Sequence, residues 1–174
     1  MGERVMGDLA AAFYLQGHGV TGSDEKFAER TLHRLESRGL MPEQPGWFPQ
    51  KLTQSLDKVI VGRAIHPNNP ELQAAQQQGL PICSYPAYIY TYAQDKQRIV
   101  ITGGEDKTLI CILVLHVLES LHKEFDYVVD APKLAASVQL SDAPIIILES
   151  GVASSSPIDL QPQSLRYQHH MALS

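Results

Sequence analysis

The chain has 174 residues, of which 44% are hydrophobic and 19% charged, close to the average of soluble globular proteins. This composition excludes disorder, collagen-like repeats and coiled coil, and the length predicts one domain, or one domain and part of another. The net charge is −5, from 14 Lys and Arg against 19 Asp and Glu, and the cations form no cluster. We expect no nucleic-acid partner, because binding to phosphates needs clustered cations.

Neither a leader nor a membrane span is expected. Residues 1–6 lack the apolar core of a signal peptide. The longest apolar run, residues 109–115, is far shorter than the ~20 residues of a transmembrane helix. Cys83 and Cys111 lie in apolar stretches without a zinc-binding pattern, which favours two small buried side chains. We therefore expect a cytoplasmic protein with no membrane partner.

The first half of the chain alternates helices and strands. Apolar residues from Leu9 to Leu15 recur at helical spacing before Gly17, which predicts a helix closed by a left-handed glycine. Asn69-Pro70-Glu71 opens a later helix, since Pro suits its first turn and Glu its positive end. We predict helices over residues 8–17, 25–38, 69–78 and 88–93, and strands over 19–24, 56–62 and 80–84. This alternation is typical of a parallel sheet with crossover helices.

A second series begins at residue 98, after a boundary near residues 94–97. A strand rich in β-branched residues is predicted over 98–102, and Gly103-Gly104 ends it. The helix predicted over 108–123 is apolar nearly all round, so we expect it to be covered on most sides. Further strands are predicted over 125–129, 144–148 and 170–174, with a loop over 154–157.

One strand is missing from this pattern. A parallel α/β sheet of this kind starts with a strand before its first helix, but only a few residues precede Asp8. Either the first strand is absent, or the chain is a fragment or a degraded gene product. An incomplete sheet has an edge that can pair with another chain, so self-association through that edge is one expectation.

The segment from Gly103 to Thr108 joins a strand to a helix, which is the context of a phosphate-binding loop. Such a loop needs glycines whose N–H groups surround phosphate, a Lys for the terminal phosphates and a Thr hydroxyl for Mg²⁺. Lys107 and Thr108 fit, but Asp106 stands where glycine is expected and Glu105 adds a carboxylate. Each carboxylate at ~4 Å from a phosphate costs about 1 kcal/mol in water-like surroundings. Two interpretations stay open: a structural turn that no longer holds ATP, and weakened nucleotide binding.

Three further side chains are candidates for ligand binding. Asp24 ends a predicted strand, where dinucleotide-type folds meet a ribose; helix capping by Ser23 or Asp24 is the alternative. Glu149 ends strand 144–148 and is placed to hold Mg²⁺ opposite Thr108, with a solvated strand end as the alternative. His66 lies in a loop before a helix and is the best candidate among the histidines; the pair His169-His170 lacks metal-site spacing.

Four motifs follow one another along the chain: Val20-Thr21-Gly22-Ser23-Asp24, Asn69-Pro70-Glu71, Gly103 with Lys107-Thr108, and Glu149 with Ser155-Ser156-Pro157-Ile158-Asp159. In order and spacing these motifs resemble the Mur ligases. Within the family the chain is most similar to the UDP-N-acetylmuramate–L-alanine ligase group. Gly46-Trp47-Phe48-Pro49 and the Ser-Ser-Pro-Ile-Asp run favour the murein tripeptide ligases of that group. The resemblance covers essentially the whole chain, but only the first part of such an enzyme.

The resemblance implies a fold, a reaction and a set of roles. Residues 1–96 would form a Rossmann-like UDP-sugar-binding domain, and residues 97–174 the beginning of a P-loop ATPase-type α/β domain. The implied reaction is an ATP-driven amide ligation, in which a substrate carboxylate becomes an acyl phosphate that an amine attacks. By resemblance, Gly103, Gly104, Lys107 and Thr108 would meet ATP phosphates, Thr108 and Glu149 would meet Mg²⁺, and Ser23, Asp24, His66 and Asn69 would lie near a UDP-N-acetylmuramate-type sugar.

Three stretches depart from the family pattern. Residues 103–109 stand where the family reads Gly-Thr/Ser-x-Gly-Lys-Thr-Thr, and residues 150–153 replace the acidic Gly-Asp-Glu-Tyr. Residues 2–7 are a reduced form of the glycine-rich loop for the diphosphate. We therefore expect a truncated or degenerate homologue that is catalytically silent. The alternative is a non-catalytic UDP-sugar-binding or protein-interaction module.

Overall fold

The structure is a computed structural model that describes residues 1–150. The predicted loop at 154–157, the predicted strand at 170–174, the pair His169-His170 and the run Ser155 to Asp159 lie outside the described residues. The helices are α1 (Arg4–Leu15), α2 (Glu29–Glu36), α3 (Pro70–Gln77), α4 (Tyr85–Tyr92) and α5 (Lys107–Ser120), with a 3-10 turn at Pro49–Lys51. The strands are β1 (Val59–Val61), β2 (Ile82–Ser84), β3 (Gln97–Ile101), β4 (Phe125–Val128), β5 (Val138–Gln139) and β6 (Ile145–Glu149).

The strands form two sheets. β1 and β2 pair in parallel, with Val59 opposite Ile82. The second sheet has the order β3-β6-β4-β5, in which β3, β6 and β4 are parallel and β5 is antiparallel to β4. The predicted α/β class with parallel sheets is therefore confirmed. β5 was not predicted, because two residues are too short to show a period in the sequence.

The four-stranded sheet lies between two layers of helices. On one face, Leu9 of α1 and Ile89 of α4 pack against Val128 and Ile146 of the sheet. On the other face, Cys111 and Leu115 of α5 pack against Ile101 and Ile147. The first cluster thus combines residues from before and after residue 96 in one core. Within residues 1–150, no helix is long and apolar enough to cross a membrane.

Several helix ends follow the local sequence. Gly17, predicted to close the first helix, has a φ of 87°, and Gly39, which follows α2, has a φ of 65°. Asn69 is the N-cap of α3, and its side chain accepts hydrogen bonds from the N–H groups of Glu71 and Leu72. Pro70 then occupies the first helical position, where a missing N–H costs nothing. These predictions from capping chemistry are confirmed.

The strand predicted over residues 19–24 is wrong. Within the described residues this segment has one isolated bridge, between Asp24 and Gly46, and no strand. Two glycines weaken its strand propensity, and no neighbouring strand pairs with it. α2 starts at Glu29 rather than residue 25, because the N–H of Ala28 donates to the Gly2 carbonyl and holds the preceding residues outside the helix.

Helix α5 is covered on one face only within residues 1–150, so the expectation that it is covered on most sides is wrong. Cys111 and Leu115 are buried, whereas five apolar side chains of this segment are exposed. The exposed residues, called the outer face below, are Leu109, Ile110, Leu113, Val117 and Leu121. They recur at helical spacing, so the outer face is one continuous apolar stripe.

Candidate functional site

The loop from residue 102 to residue 106 joins β3 to α5 at the carboxyl end of the sheet. Gly103 has a φ of 149°, a conformation that favours glycine. A Cβ at Gly103 or Gly104 would meet no atom within 4 Å, so the loop lies open to solvent. Glu105 and Asp106 are exposed, and Lys107 begins α5 half-buried. The loop therefore presents two carboxylates and one ammonium group at the start of a helix.

Glu149 lies beside this loop at the end of β6. Glu149 is buried, with 3% exposure, and it is opposite Ile101 in the register of β3 and β6. The Thr108 hydroxyl donates to Glu149 Oε1 at 2.6 Å, and the Asp130 N–H donates to Oε2 at 2.8 Å. The structure thus brings together Thr108 and Glu149, which are 41 residues apart in sequence.

The charge of Glu149 affects its neighbour Cys111. Burial, and secondarily the Glu149 carboxylate, raise the pKa of the Cys111 thiol to about 11. The thiol is therefore protonated at neutral pH, and Cys111 is neither a thiolate nucleophile nor a metal ligand there. This agrees with its position in the core beneath α5.

Arg4 connects the start of α1 to the same edge of the sheet. Its Nε donates to Asp130 Oδ1 at 3.0 Å, and its Nη2 donates to the Asp130 carbonyl at 3.3 Å. Asp130 in turn supplies the N–H that binds Glu149. Asp130 therefore links the glycine-rich segment, through Arg4, to the Thr108–Glu149 pair. Gly2 and Gly7 of that segment allow close packing, since a Cβ would lie 1.7 Å from the Lys26 carbonyl oxygen or 2.3 Å from Thr31 Cγ2.

A cavity of about 450 Å³ lies between the residues 19–23 and β1. Ser23 and Asn69 line it, and both are buried, with 7% and 6% exposure. Asp24 and His66 are not among its lining residues, so two of the four candidates for sugar binding share this cavity. Asn69 is already engaged as the cap of α3, and the His66 Nδ1 accepts a hydrogen bond from the Asn68 N–H at 3.1 Å.

Asp24 binds the beginning of the chain rather than a helix end. Its Oδ2 accepts from the Met1 ammonium at 3.1 Å and from the Gly2 N–H at 2.8 Å. Burial opposes ionisation, but the ammonium and the hydrogen bonds outweigh it and lower the pKa of Asp24. Capping of α2 by Ser23 or Asp24 is wrong, because Ala28 is the N-cap and no side chain caps it.

Sequence reasoning missed most of the residues that line the cavity. Its floor includes Met6, Leu9 and Phe13 of α1, and the lining on the opposite side includes Val59 and Ile60. Apolar residues at helical or strand spacing have the pattern of an ordinary core, so the sequence carries no signal that distinguishes them. The rim lysines Lys51 and Lys58 lie over the rings of Phe48 and Tyr88, at 4.5 and 5.2 Å from the ring centroids.

Parallel strands joined by helices, with a glycine loop at a helix start, define a parallel α/β protein of the Rossmann-like class. A family model described as "Mur ligase family, catalytic domain" matches residues 1–97. The chain belongs to the Mur ligase family, as the motifs indicated. It is 26% identical over 159 residues to a UDP-N-acetylmuramate–L-alanine ligase of Nitrosomonas eutropha, covering 90% of this chain and 33% of that one.

A second curated relative is the UDP-N-acetylmuramate–L-alanyl-γ-D-glutamyl-meso-2,6-diaminoheptandioate ligase of Escherichia coli, 24% identical over 165 residues, which are 93% of this chain and 36% of that protein. The fold is similar to a murein peptide ligase from Psychrobacter arcticus, with a TM-score of 0.72 at 21% identity, covering 85% of this chain and 35% of that one. The chain therefore spans about a third of the length of the curated relatives it matches.

Proposed function

We propose that the chain is a degenerate homologue of an ATP-dependent UDP-N-acetylmuramate ligase of peptidoglycan synthesis or recycling, and that the 174 residues are catalytically silent by themselves. The observation that carries this proposal is the loop before α5, where Glu105 and Asp106 stand beside Lys107. Two carboxylates oppose one ammonium group at the position where the family would hold phosphates. Phosphoryl transfer depends on charge stabilisation and positioning, and this loop supplies the wrong sign of charge.

The residues present fit ATP phosphates with Mg²⁺ poorly, so we expect ATP to bind only weakly. Both oxygens of Glu149 already accept hydrogen bonds within the chain, and the Thr108 hydroxyl is the donor of one of them. Within residues 1–150, no group of three or more His, Cys, Asp or Glu side chains is placed to hold a metal ion. We therefore derive no catalytic step through ATP or Mg²⁺ for this chain.

An activity assay tests directly whether the chain lacks ligase activity. The chain is mixed with ATP, Mg²⁺, UDP-N-acetylmuramate and either L-alanine or the L-alanyl-γ-D-glutamyl-meso-diaminopimelate tripeptide, and ADP release is measured. We expect no ADP above a control without protein. ADP release that requires both the sugar nucleotide and an amine would contradict the proposal.

The loop charge is tested by ATP binding to two matched variants. Asp106→Asn removes one carboxylate from the loop, which lies beside the end of β6. Asp142→Asn removes one exposed carboxylate just before the start of β6, far from the loop along that strand. We expect ATP to bind about fivefold more tightly to Asp106→Asn, since about 1 kcal/mol of repulsion is removed. Asp142→Asn is expected to leave the affinity unchanged. Equal effects of the two changes, measured by calorimetry, would show that the loop carboxylate is not the cause.

A second candidate function is binding of a UDP-N-acetylmuramate-type molecule without turnover. The cavity lined by Ser23 and Asn69 favours it, since its volume of about 450 Å³ is within the usual range of ligand pockets. The cysteines are free, which supports a place in the reducing cytoplasm. Calorimetry with UDP-N-acetylmuramate is expected to give saturable heat, with UDP alone as the control ligand. A flat titration for both would remove this candidate.

A further inference from the structure

Residues 130–136, between β4 and β5, form a compact loop whose two ends are tied together. The Val129 N–H donates to the Ser137 carbonyl at 2.8 Å and closes the neck of the loop. Inside the loop, the Leu134 N–H donates to the Ala131 carbonyl at 3.2 Å. We call this segment the 130–136 loop. Compact surface loops with joined ends recur in proteins and are frequently functional, so its contacts are of interest.

Two arginines of α2 hold the outer part of this loop by its backbone. Arg30 donates to the Pro132 carbonyl and, at 2.7 Å, to the Leu134 carbonyl. Arg34 donates to the Ala135 carbonyl. A guanidinium group presents several N–H donors in a fixed fork, so it can hold neighbouring carbonyl groups in one arrangement. The position of the loop therefore depends on the position of α2.

The first residue of the loop, Asp130, connects it to the Thr108–Glu149 pair. Its carboxylate accepts from Arg4 of α1, with 3.0 Å between Nε and Oδ1. Its N–H donates to Glu149 Oε2 at 2.8 Å, while Glu149 Oε1 accepts from the Thr108 hydroxyl at 2.6 Å. Asp130 therefore supplies one of the two hydrogen bonds that hold this buried carboxylate, and the place of Asp130 is set by the loop to which it belongs.

Polar contacts hold the loop more than apolar packing does. Ala131 is buried and Leu134 is half-buried, and both contact the core beneath α5. Pro132 and Ala135 are exposed, as is Asp130. Segments with few buried apolar contacts and many solvent-exposed hydrogen bonds open locally, at a lower free energy than the whole fold. We therefore expect the loop to open while the four-stranded sheet stays intact.

We propose that the 130–136 loop is a coupling element that opens as one unit and ties the Thr108–Glu149 pair to the position of α2. In the closed state the arginines hold the loop, and the Asp130 N–H holds Glu149. In the open state both contacts are lost together. Because coupling is reciprocal, a ligand that displaces α2 changes the Thr108–Glu149 pair, and a ligand at that pair changes how firmly α2 is held. Coupling of this kind needs only these contacts and does not rest on the proposed function.

Amide hydrogen exchange on the unchanged chain tests whether the loop opens as one unit. The N–H groups of Asp130, Leu134 and Ser137 donate to three different acceptors, the last of them to Asp8 Oδ2. We expect these three amides to share one opening free energy with one dependence on urea, below that of the Gln97 N–H in the four-stranded sheet. Three different opening free energies, or values equal to that of Gln97, would overturn the proposal.

Three variants test whether α2 acts on Asp130 through the loop. Arg30→Gln removes a guanidinium group that does not contact Asp130, and Arg4→Gln removes one that does. We expect both to speed exchange of the Asp130 amide about tenfold, as for the loss of one hydrogen bond to a charged group. Acceleration by Arg4→Gln alone would overturn the proposal. Lys133→Gln changes an exposed lysine of the same loop and is expected to have no effect; an equal acceleration would assign the change to loop charge and overturn it as well.

NMR on Arg30→Gln tests whether the effect reaches the Thr108–Glu149 pair. We expect the ¹³C resonance of the Glu149 carboxyl and the methyl resonance of Thr108 to shift, while exchange at Gln97 keeps its native rate. Resonances that stay at their native positions while Asp130 exchanges faster would overturn the coupling. Equal acceleration at Asp130 and Gln97 would show that Arg30 stabilises the whole fold rather than the loop, and would overturn it too.

Discussion

At the residue scale, Asp24 makes the stability of the chain depend on pH. Its pKa is lowered below the ordinary value of 3.8, mainly by the Met1 ammonium against an opposing effect of burial. A lowered pKa in the folded chain gives stability that is present above the unfolded value and is lost as pH falls through the folded value. We expect Asp24→Asn to cost about 1.5–3 kcal/mol at pH 7, the usual contribution of a hydrogen bond to a charged group.

The difference between the native chain and Asp24→Asn is expected to shrink below pH 4, because protonation removes the charge from the native chain as well. Urea unfolding at several pH values measures it. Asp95→Asn, which changes an exposed carboxylate, is the control and is expected to leave the pH dependence unchanged. A constant difference between pH 7 and pH 2 would show that the ion pair with Met1 does not form in solution.

Apart from the Thr108–Glu149 pair, which the ends of the predicted elements indicated, the sequence predicted contacts between nearby residues and missed those between distant ones. Asn69 caps a helix two or three residues ahead, so its role follows from the capping pattern alone. Asp24 pairs with residues more than 20 positions earlier, and Asp8 accepts from the Ser137 N–H at 2.5 Å, 129 positions away. Such contacts depend on how the helices pack on the sheet, which no local pattern contains.

At the scale of elements, α5 gives the clearest contrast between pattern and structure. Its apolar composition predicts burial all round, yet Leu113 is 55% exposed and Leu115 is 5% exposed. Composition cannot show which layer lies above a helix, since that depends on other elements. The order of helices and strands was predicted more reliably, because capping residues and β-branched runs act within each element.

Two matched changes in α5 test whether Leu113 is exposed and Leu115 is buried in solution. Leu113→Ala removes a side chain from the outer face, and Leu115→Ala removes one from the core two residues later. We expect Leu113→Ala to change the free energy of unfolding by less than about 0.5 kcal/mol. Leu115→Ala is expected to cost about 2–5 kcal/mol, because it leaves a cavity. Urea unfolding compares the two, and an equal cost would mean that the outer face is covered in solution.

At the scale of the whole molecule, arginines of the first two helices hold the segment 130–137 that follows β4. Arg34 pairs with the buried Asp8 and donates to the Ala135 carbonyl. Arg30 donates to the carbonyls of Pro132 and Leu134, the latter at 2.7 Å. Together with the shared core of α1, α4 and the four-stranded sheet, these contacts join the region before residue 96 to the region after it.

A buried ion pair strengthens this connection at the end of α4. Asp126 of β4 is fully buried, and its Oδ2 lies 2.9 Å from the Lys96 Nζ and accepts from the Tyr92 hydroxyl, also at 2.9 Å. Its Oδ1 accepts from the Ser141 hydroxyl at 2.7 Å. Burial, followed by the hydrogen bond to Asp126, raises the pKa of Tyr92, so its hydroxyl remains a donor at neutral pH.

We expect Lys96→Met to destabilise the chain by about 3–5 kcal/mol, because it leaves the Asp126 carboxylate buried without its cation. Adding Asp126→Asn to Lys96→Met is expected to recover part of that loss, since the uncompensated charge is then removed. Lys123→Met, which changes an exposed lysine after α5, is the control and is expected to have little effect. Urea unfolding at pH 7 measures all three. If the double variant is as unstable as Lys96→Met alone, the lysine stabilises the fold through the packing of its alkyl chain and not through its charge.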